Sequence, residues 1–82
     1  MKISSVSWNT HIAPQTKQQA AYHTLKTAII SLDLPPNTVL IENYIMERFG
    51  LSRTPMREAI NRLLTEGFLS SAGGKGFMVN DI

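Results

Sequence analysis

Residues 50–69 read GLSRTPMREAINRLLTEGFL, and the spacing of their apolar side chains decides the fold. Met56, Ala59, Ile60, Leu63 and Leu64 follow an i, i+3, i+4 pattern, which is how a helix with one buried side is written. The pattern predicts a helix from Arg53 or Thr54 to Glu66. Ser52 or Thr54 can cap its start. Pro55 then falls in the first turn, where its missing N–H removes no helical hydrogen bond. Gly67 ends it. Arg53, Thr54, Arg57 and Asn61 lie towards the other side.

Working towards the N-terminus, Gly50-Leu51-Ser52 is too short a turn for two helices to lie antiparallel, so they cross steeply. The preceding helix is predicted over about Glu42 to Phe49. Ile41, Tyr44, Ile45 and Phe49 form its expected inner stripe, and Glu42, Glu47 and Arg48 face outward. Gly50 supplies the left-handed residue that ends it, and Leu51 plugs inward. Thr38–Ile41 is a short apolar run of β type. Asp33-Leu34-Pro35-Pro36-Asn37 stops the first helix, because Pro35 disfavours helical geometry in Leu34. That helix runs from about Thr16, a plausible cap, to Leu32, with Ala21, Leu25, Ala28, Ile29 and Leu32 at helical spacing. Residues 1–14 read as an arm rich in Ser, Thr and Asn, whose apolar residues are Ile3, Val6, Trp8 and Ile12. It is either a loose terminus or a segment docked through Trp8.

Towards the C-terminus, Phe68–Ser71 and Phe77–Asn80 are strand-like. Residues 72–76 (AGGKG) join them, and three glycines there mark a hairpin. The order is helix, strand, helix, helix, strand, strand. The expected architecture over 15–82 is mainly α with a small antiparallel sheet: three helices and a β-hairpin wing, a winged helix-turn-helix.

Eighty-two residues make one domain with a modest core. A net charge of +2 says little about partners by itself. The distribution says more: from Arg48 to Arg62 there are four arginines against one acid, Glu58. Absent cysteines exclude disulfides, thiolate zinc sites and thiol nucleophiles. No run approaches the roughly 20 apolar residues of a membrane span, and no leader pattern is seen, so a cytoplasmic location is expected. His11 and His23 stand apart without carboxylates, so no metal is expected. Gly73-Gly74-Lys75-Gly76 lacks the spacing and following helix of a phosphate loop, so no nucleotide cofactor is expected. No Ser/His/acid or paired-carboxylate set points to catalysis, and the chain reads as no enzyme. Met46, Met56, Tyr44 and Phe49 are expected in the core. Glu58 is expected to pair with Arg62 or to support Arg57, and Arg62 to be solvated or on the phosphate side.

Burying the apolar stripe turns the polar side of the third helix outward. Its leading end then projects with Ser52, Arg53, Thr54 and Arg57. Unpaired N–H groups and the positive dipole end favour phosphate there, and arginine forks suit guanine O6 and N7 in a major groove. The hairpin brings Lys75 to the backbone or minor groove of the same duplex. The bland alternative is that Arg53 and Arg57 are ordinary solvated charges. A winged-helix module for protein contact with little or no DNA binding is the competing function, motivated by the modest charge and Trp8. RNA binding is weaker, because the few aromatics sit at core-like positions.

From Leu25 onward the chain resembles the DNA-binding domain of the GntR family of bacterial transcription regulators, and within it the FadR-like branch whose C-terminal ligand domain is called FCD. The residues that carry the resemblance are Leu34-Pro35-Pro36-Asn37-Thr38-Val39-Leu40, then Leu51-Ser52-Arg53-Thr54-Pro55-Met56-Arg57-Glu58-Ala59-Ile60, then Arg62-Leu63 with Glu66-Gly67-Phe68-Leu69, and Gly76-Phe77-Met78-Val79. It implies a repressor-type regulator binding a palindromic double-stranded operator as a homodimer. Positions matching the family's DNA contacts are Ser52, Arg53, Thr54, Pro55 and Arg57, with Gly74 and Lys75 at the wing. Asn37 stands where the family often has glycine, and Asn tolerates the same left-handed geometry. Asn43 stands where relatives often carry a charge. The ligand-binding and dimerising half that the resemblance implies is not among these 82 residues, so the chain reads as an excised fragment or an unusually short member.

Overall fold

The computed structural model describes residues 16–81. The expected arm over 1–14, with Trp8 and His11, lies outside them. Helix α1 spans Lys17–Ile30, and its start is a reciprocal cap. The Gln19 N–H donates to Thr16 Oγ1 and the Thr16 N–H donates to Gln19 Oε1, both at 3.0 Å, satisfying two otherwise unpaired donors. Ala21, Tyr22, Leu25, Ala28 and Ile29 are buried.

The helix ends two residues before the expected Leu32. Leu32 leaves the helical phase in a left-handed conformation (φ 67°) and is 63% exposed. Leu34 takes the core position instead, at 1% exposure. Its N–H reaches back to the Ala28 carbonyl at 3.0 Å, so the turn before Pro35 is closed by backbone. Asn37 adopts the expected left-handed geometry, with φ 71°, and donates its N–H to the Val79 carbonyl at 2.7 Å.

Strand β1 is Val39–Leu40 and helix α2 is Glu42–Phe49. Two expected members of the α2 stripe are not core: Ile41 is 52% and Tyr44 42% exposed. Ile41 is the extended residue before the helix and so is out of helical phase. Tyr44 turns its hydroxyl to accept from Arg48 Nη1 at 2.8 Å. Ile45 is the one α2 residue fully buried, with Met46 and Phe49 packed partly against the core. Gly50 ends α2 in a left-handed conformation (φ 66°).

Helix α3, Arg53–Glu66, follows with Ser52 at the cap position, although the Ser52 side chain makes no capping hydrogen bond. Met56, Ala59, Ile60 and Leu63 are buried, and Leu64 packs partly against them. Fully burying each large apolar side chain of this stripe contributes roughly 1.5–3 kcal/mol, so α3 is anchored along its length, chiefly against α1.

Strand β2 is Leu69–Ser71, a short 3-10 turn covers Gly73–Lys75, and strand β3 is Phe77–Val79. The sheet is antiparallel in the order β1-β3-β2. Leu40 pairs with Phe77 across one ladder, and Ser71 pairs with Phe77 across the other. The expected hairpin is present, and β1 joins it as a third strand. Gly76 (φ 119°) makes this fit possible: a Cβ there would lie 2.2 Å from the Leu40 carbonyl oxygen. No helix among the described residues is long and apolar enough to cross a membrane, and no cluster of three metal-ligating side chains occurs among them.

Candidate nucleic-acid interface

The leading end of α3 is open. Ser52, Arg53, Thr54 and Arg57 are exposed and Pro55 is half-buried. The reason is the phase of the helix: once Met56, Ala59, Ile60 and Leu63 face inward, the positions between them can only face solvent. Gly74 is exposed at the tip of the hairpin, and Lys75 completes the 3-10 turn there. A groove of about 430 Å³ runs between the wing and the start of α2, lined by Ile41, Glu42, Gly73, Gly74, Gly76 and Phe77. The α2 start thus lies between the α3 arginines and the wing.

Sequence reasoning placed Glu42 simply on the outside. In the fold it accepts from both arginines: Arg53 Nη1 donates to Oε1 at 2.8 Å, Arg57 Nε to Oε2 at 2.8 Å, and Arg57 Nη2 to Oε1 at 2.9 Å. The hydrogen bond from Arg57, with the charges of Arg57 and Arg53, holds the Glu42 carboxyl below its ordinary 4.5 and keeps it ionised. The same contact raises the Arg57 guanidinium above its ordinary value. Separations of 11 and 15 residues leave no short-range pattern to reveal this triad. The only hint is an acid opening one helix and two arginines one turn apart opening the next.

The other two arginines of the basic run are also matched by acids distant from the run or at its end. Arg48 Nη2 pairs with Asp33 at 2.6 Å, and Arg62 Nε with Glu66 at 3.3 Å. The expected pairing of Glu58 with Arg62 or Arg57 does not form; Glu58 enters no ion pair among the described residues. The arginines therefore differ in what they can do. Arg48 is tied to the loop before β1 and to Tyr44. Arg62 lies with its guanidinium carbon 3.9 Å from the centre of the Tyr22 ring. Arg53 and Arg57 stay 47% and 56% exposed even while held.

A family model described as "Bacterial regulatory proteins, gntR family" matches residues 17–79. The Nta operon transcriptional regulator of Aminobacter aminovorans is 44% identical over 48 residues, 58% of this chain and 23% of that protein. The HTH-type transcriptional repressor RspR of Escherichia coli K12 is 34% identical over 68 residues, 83% of this chain and 30% of that protein. Among solved structures, the AraR DNA-binding domain in complex with operator ORE1 superposes with a TM-score of 0.70 at 30% identity, covering 80% of this chain and 82% of that one. The chain spans less than a third of the length of those two regulators.

Proposed function

The chain belongs to the GntR family of bacterial regulatory proteins, and on that premise we propose that it binds double-stranded DNA in a sequence-specific manner, with the leading end of α3 in the major groove and the wing beside it. The observation that carries this reading is the exposure of Ser52, Arg53, Thr54 and Arg57 together on one end of a helix whose other side is buried. Each guanidinium has five N–H donors in a rigid fork, and Glu42 uses one from Arg53 and two from Arg57. Enough donors are left on both to address guanine edges or phosphates. Pro55 stiffens the same turn, and Gly74 and Lys75 serve the flanking backbone.

The operator is a palindrome read by two copies, and the natural role is repression; the names of the relatives support the regulatory role. The sequence blocks around Pro35-Pro36 and Ser52–Ile60 support placement in the FadR-like branch. The alternative of a protein-contact module draws on a groove of about 200 Å³ lined by Ile29, Ile30, Leu32, Pro36, Asn80 and Asp81.

Titration against duplex DNA over a range of salt concentrations separates the two. A DNA binder weakens steeply with salt through counterion release. Arg53→Ala is expected to cost about 1–3 kcal/mol on a preferred duplex and to relax its base preference. Salt-insensitive behaviour, or an Arg53→Ala variant as tight and selective as the parent, removes the DNA reading.

A further inference from the structure

Glu42 stands on the surface proposed to face a polyanion, where a carboxylate is electrostatically unfavourable. Its three hydrogen bonds show what it does in exchange. Arg57 is held side-on, through Nε and Nη2. Its end-on edge, Nη1 with the remaining Nη2 hydrogen, makes no hydrogen bond among the described residues. Among the described residues Arg53 is held by Nη1 alone, which leaves its Nε and Nη2 edge open. Each arginine thus retains one complete two-donor edge of the kind that matches guanine O6 and N7 or a phosphate. Both forks are referenced to one carboxylate, with Oε1 shared between them. Glu42 itself is fixed by its place in the first turn of α2, with a side chain 26% exposed.

We propose that Glu42 is a positioning residue of the DNA-reading surface: its carboxylate holds Arg53 and Arg57 as one preformed pair of forks, raising selectivity between duplex sequences while lowering affinity for duplex in general. The proposal rests on the DNA-binding reading above. Free arginine side chains sample many rotamers and adapt to any phosphate or base edge. Held arginines lose that latitude before DNA arrives, so a mismatched edge cannot be accommodated by swinging the side chain. The carboxylate charge meanwhile acts against every sequence equally.

The test uses the 82-residue chain, a duplex that it selects from a randomised library, and a scrambled duplex of the same composition. Glu42→Gln keeps the length of the side chain and removes its charge. Its ratio of selected to scrambled affinity is expected to fall about tenfold, the scale of one good bidentate contact. Binding to the scrambled duplex stays equal or strengthens. Glu42→Asp, which keeps the charge, loses less of the ratio. In the free protein the Arg57 Nε–H, which donates to Glu42, is expected to exchange slowly with solvent and to become fast in Glu42→Gln, a change that a merely structural role in α2 does not produce. If the parent discriminates and Glu42→Gln keeps its ratio within about twofold, or the Arg57 Nε–H exchanges equally in both, the positioning role is overturned and the DNA reading survives. If the parent itself shows neither preference nor salt dependence, both fall together.

Discussion

Helix α3 and the β2–β3 hairpin are held by opposite means. The helix is fixed by side chains: Met56, Ala59, Ile60 and Leu63 are each at most 1% exposed. The hairpin has strands of three residues, and among its described side chains those fully buried are Leu69 and Val79. Its fit to β1 depends on a side chain that is missing, at Gly76. The helix is therefore specified by a repeating pattern along 14 residues, the wing by single positions. A surface assembled from both inherits two different sensitivities. Loss of packing under α3 acts on the whole domain, whereas damage to the wing acts on one edge.

The largest expected effect breaks the helical half of this contrast. Leu63→Ala removes a fully buried side chain and is expected to cost about 3 kcal/mol, the sum of lost transfer energy and a residual cavity. Thermal melting followed by circular dichroism then shifts down by about 4–8 °C per kcal/mol. A loss under about 1 kcal/mol would mean that α3 is not anchored by its stripe.

Gly76→Ala breaks the other half. The added Cβ would meet the Leu40 carbonyl carbon and oxygen, and the residue would have to keep a φ of 119°. Backbone strain and overpacking together are expected to cost about 2 kcal/mol. Amide chemical shifts should move in β1 and the hairpin while those of α1 and α3 hold. An alanine variant as stable as the parent, or one whose shifts spread through α3, would erase the distinction between the two regions.

The two regions also differ in how far they could be read from sequence. The α3 stripe follows from local geometry, because i, i+3 and i+4 neighbours share a side of any helix, and all five named positions pack as expected. The hairpin followed from its glycines, and the left-handed backbone at Asn37 from the family resemblance, which often has glycine there. The failures have a common cause. Leu32, Ile41 and Tyr44 lie at the ends of α1 and on the short α2, where helical phase is lost or a stripe has too few turns to define it. The candidate site divides in the same way. Exposure of Ser52, Arg53, Thr54 and Arg57 is the complement of the stripe and was legible. The acids that hold Arg48, Arg53 and Arg57 are 11 to 15 residues away, and only the fold brings them together.

Acid titration sharpens the contrast within α3 itself, at its trailing end. The Tyr22 hydroxyl donates to Glu66 Oε1 and Arg62 Nε donates to Oε2 at 3.3 Å. These contacts, the tyrosine hydrogen bond foremost, hold the Glu66 carboxyl below its ordinary 4.5. A carboxyl more acidic in the folded chain than in the unfolded one stabilises the fold above the unfolded value, and the contribution fades as pH falls through the folded value. The melting temperature should therefore lose the Glu66 contribution only below about pH 4.5. Glu66→Gln should flatten part of that decline and leave neutral-pH behaviour less dependent on Tyr22. An unchanged acid slope in Glu66→Gln would show that the Tyr22–Glu66–Arg62 contact contributes nothing to stability.

The smallest effect is expected at Glu58, and it is the most discriminating. Glu58 is exposed on α3 and enters no ion pair among the described residues. Glu58→Gln should change stability by no more than about 0.5 kcal/mol, as surface substitutions without partners do. On duplex DNA it removes one negative charge, as Glu42→Gln does, and should tighten binding to selected and scrambled duplexes alike. Equal charge removal at two sites then has unequal consequences, because only one of the two carboxylates holds arginine forks. Melting curves and the selected-to-scrambled ratio check this together. Should Glu58→Gln lose as much selectivity as Glu42→Gln, local charge would govern the surface and the hydrogen-bonded geometry around Glu42 would have no separate role.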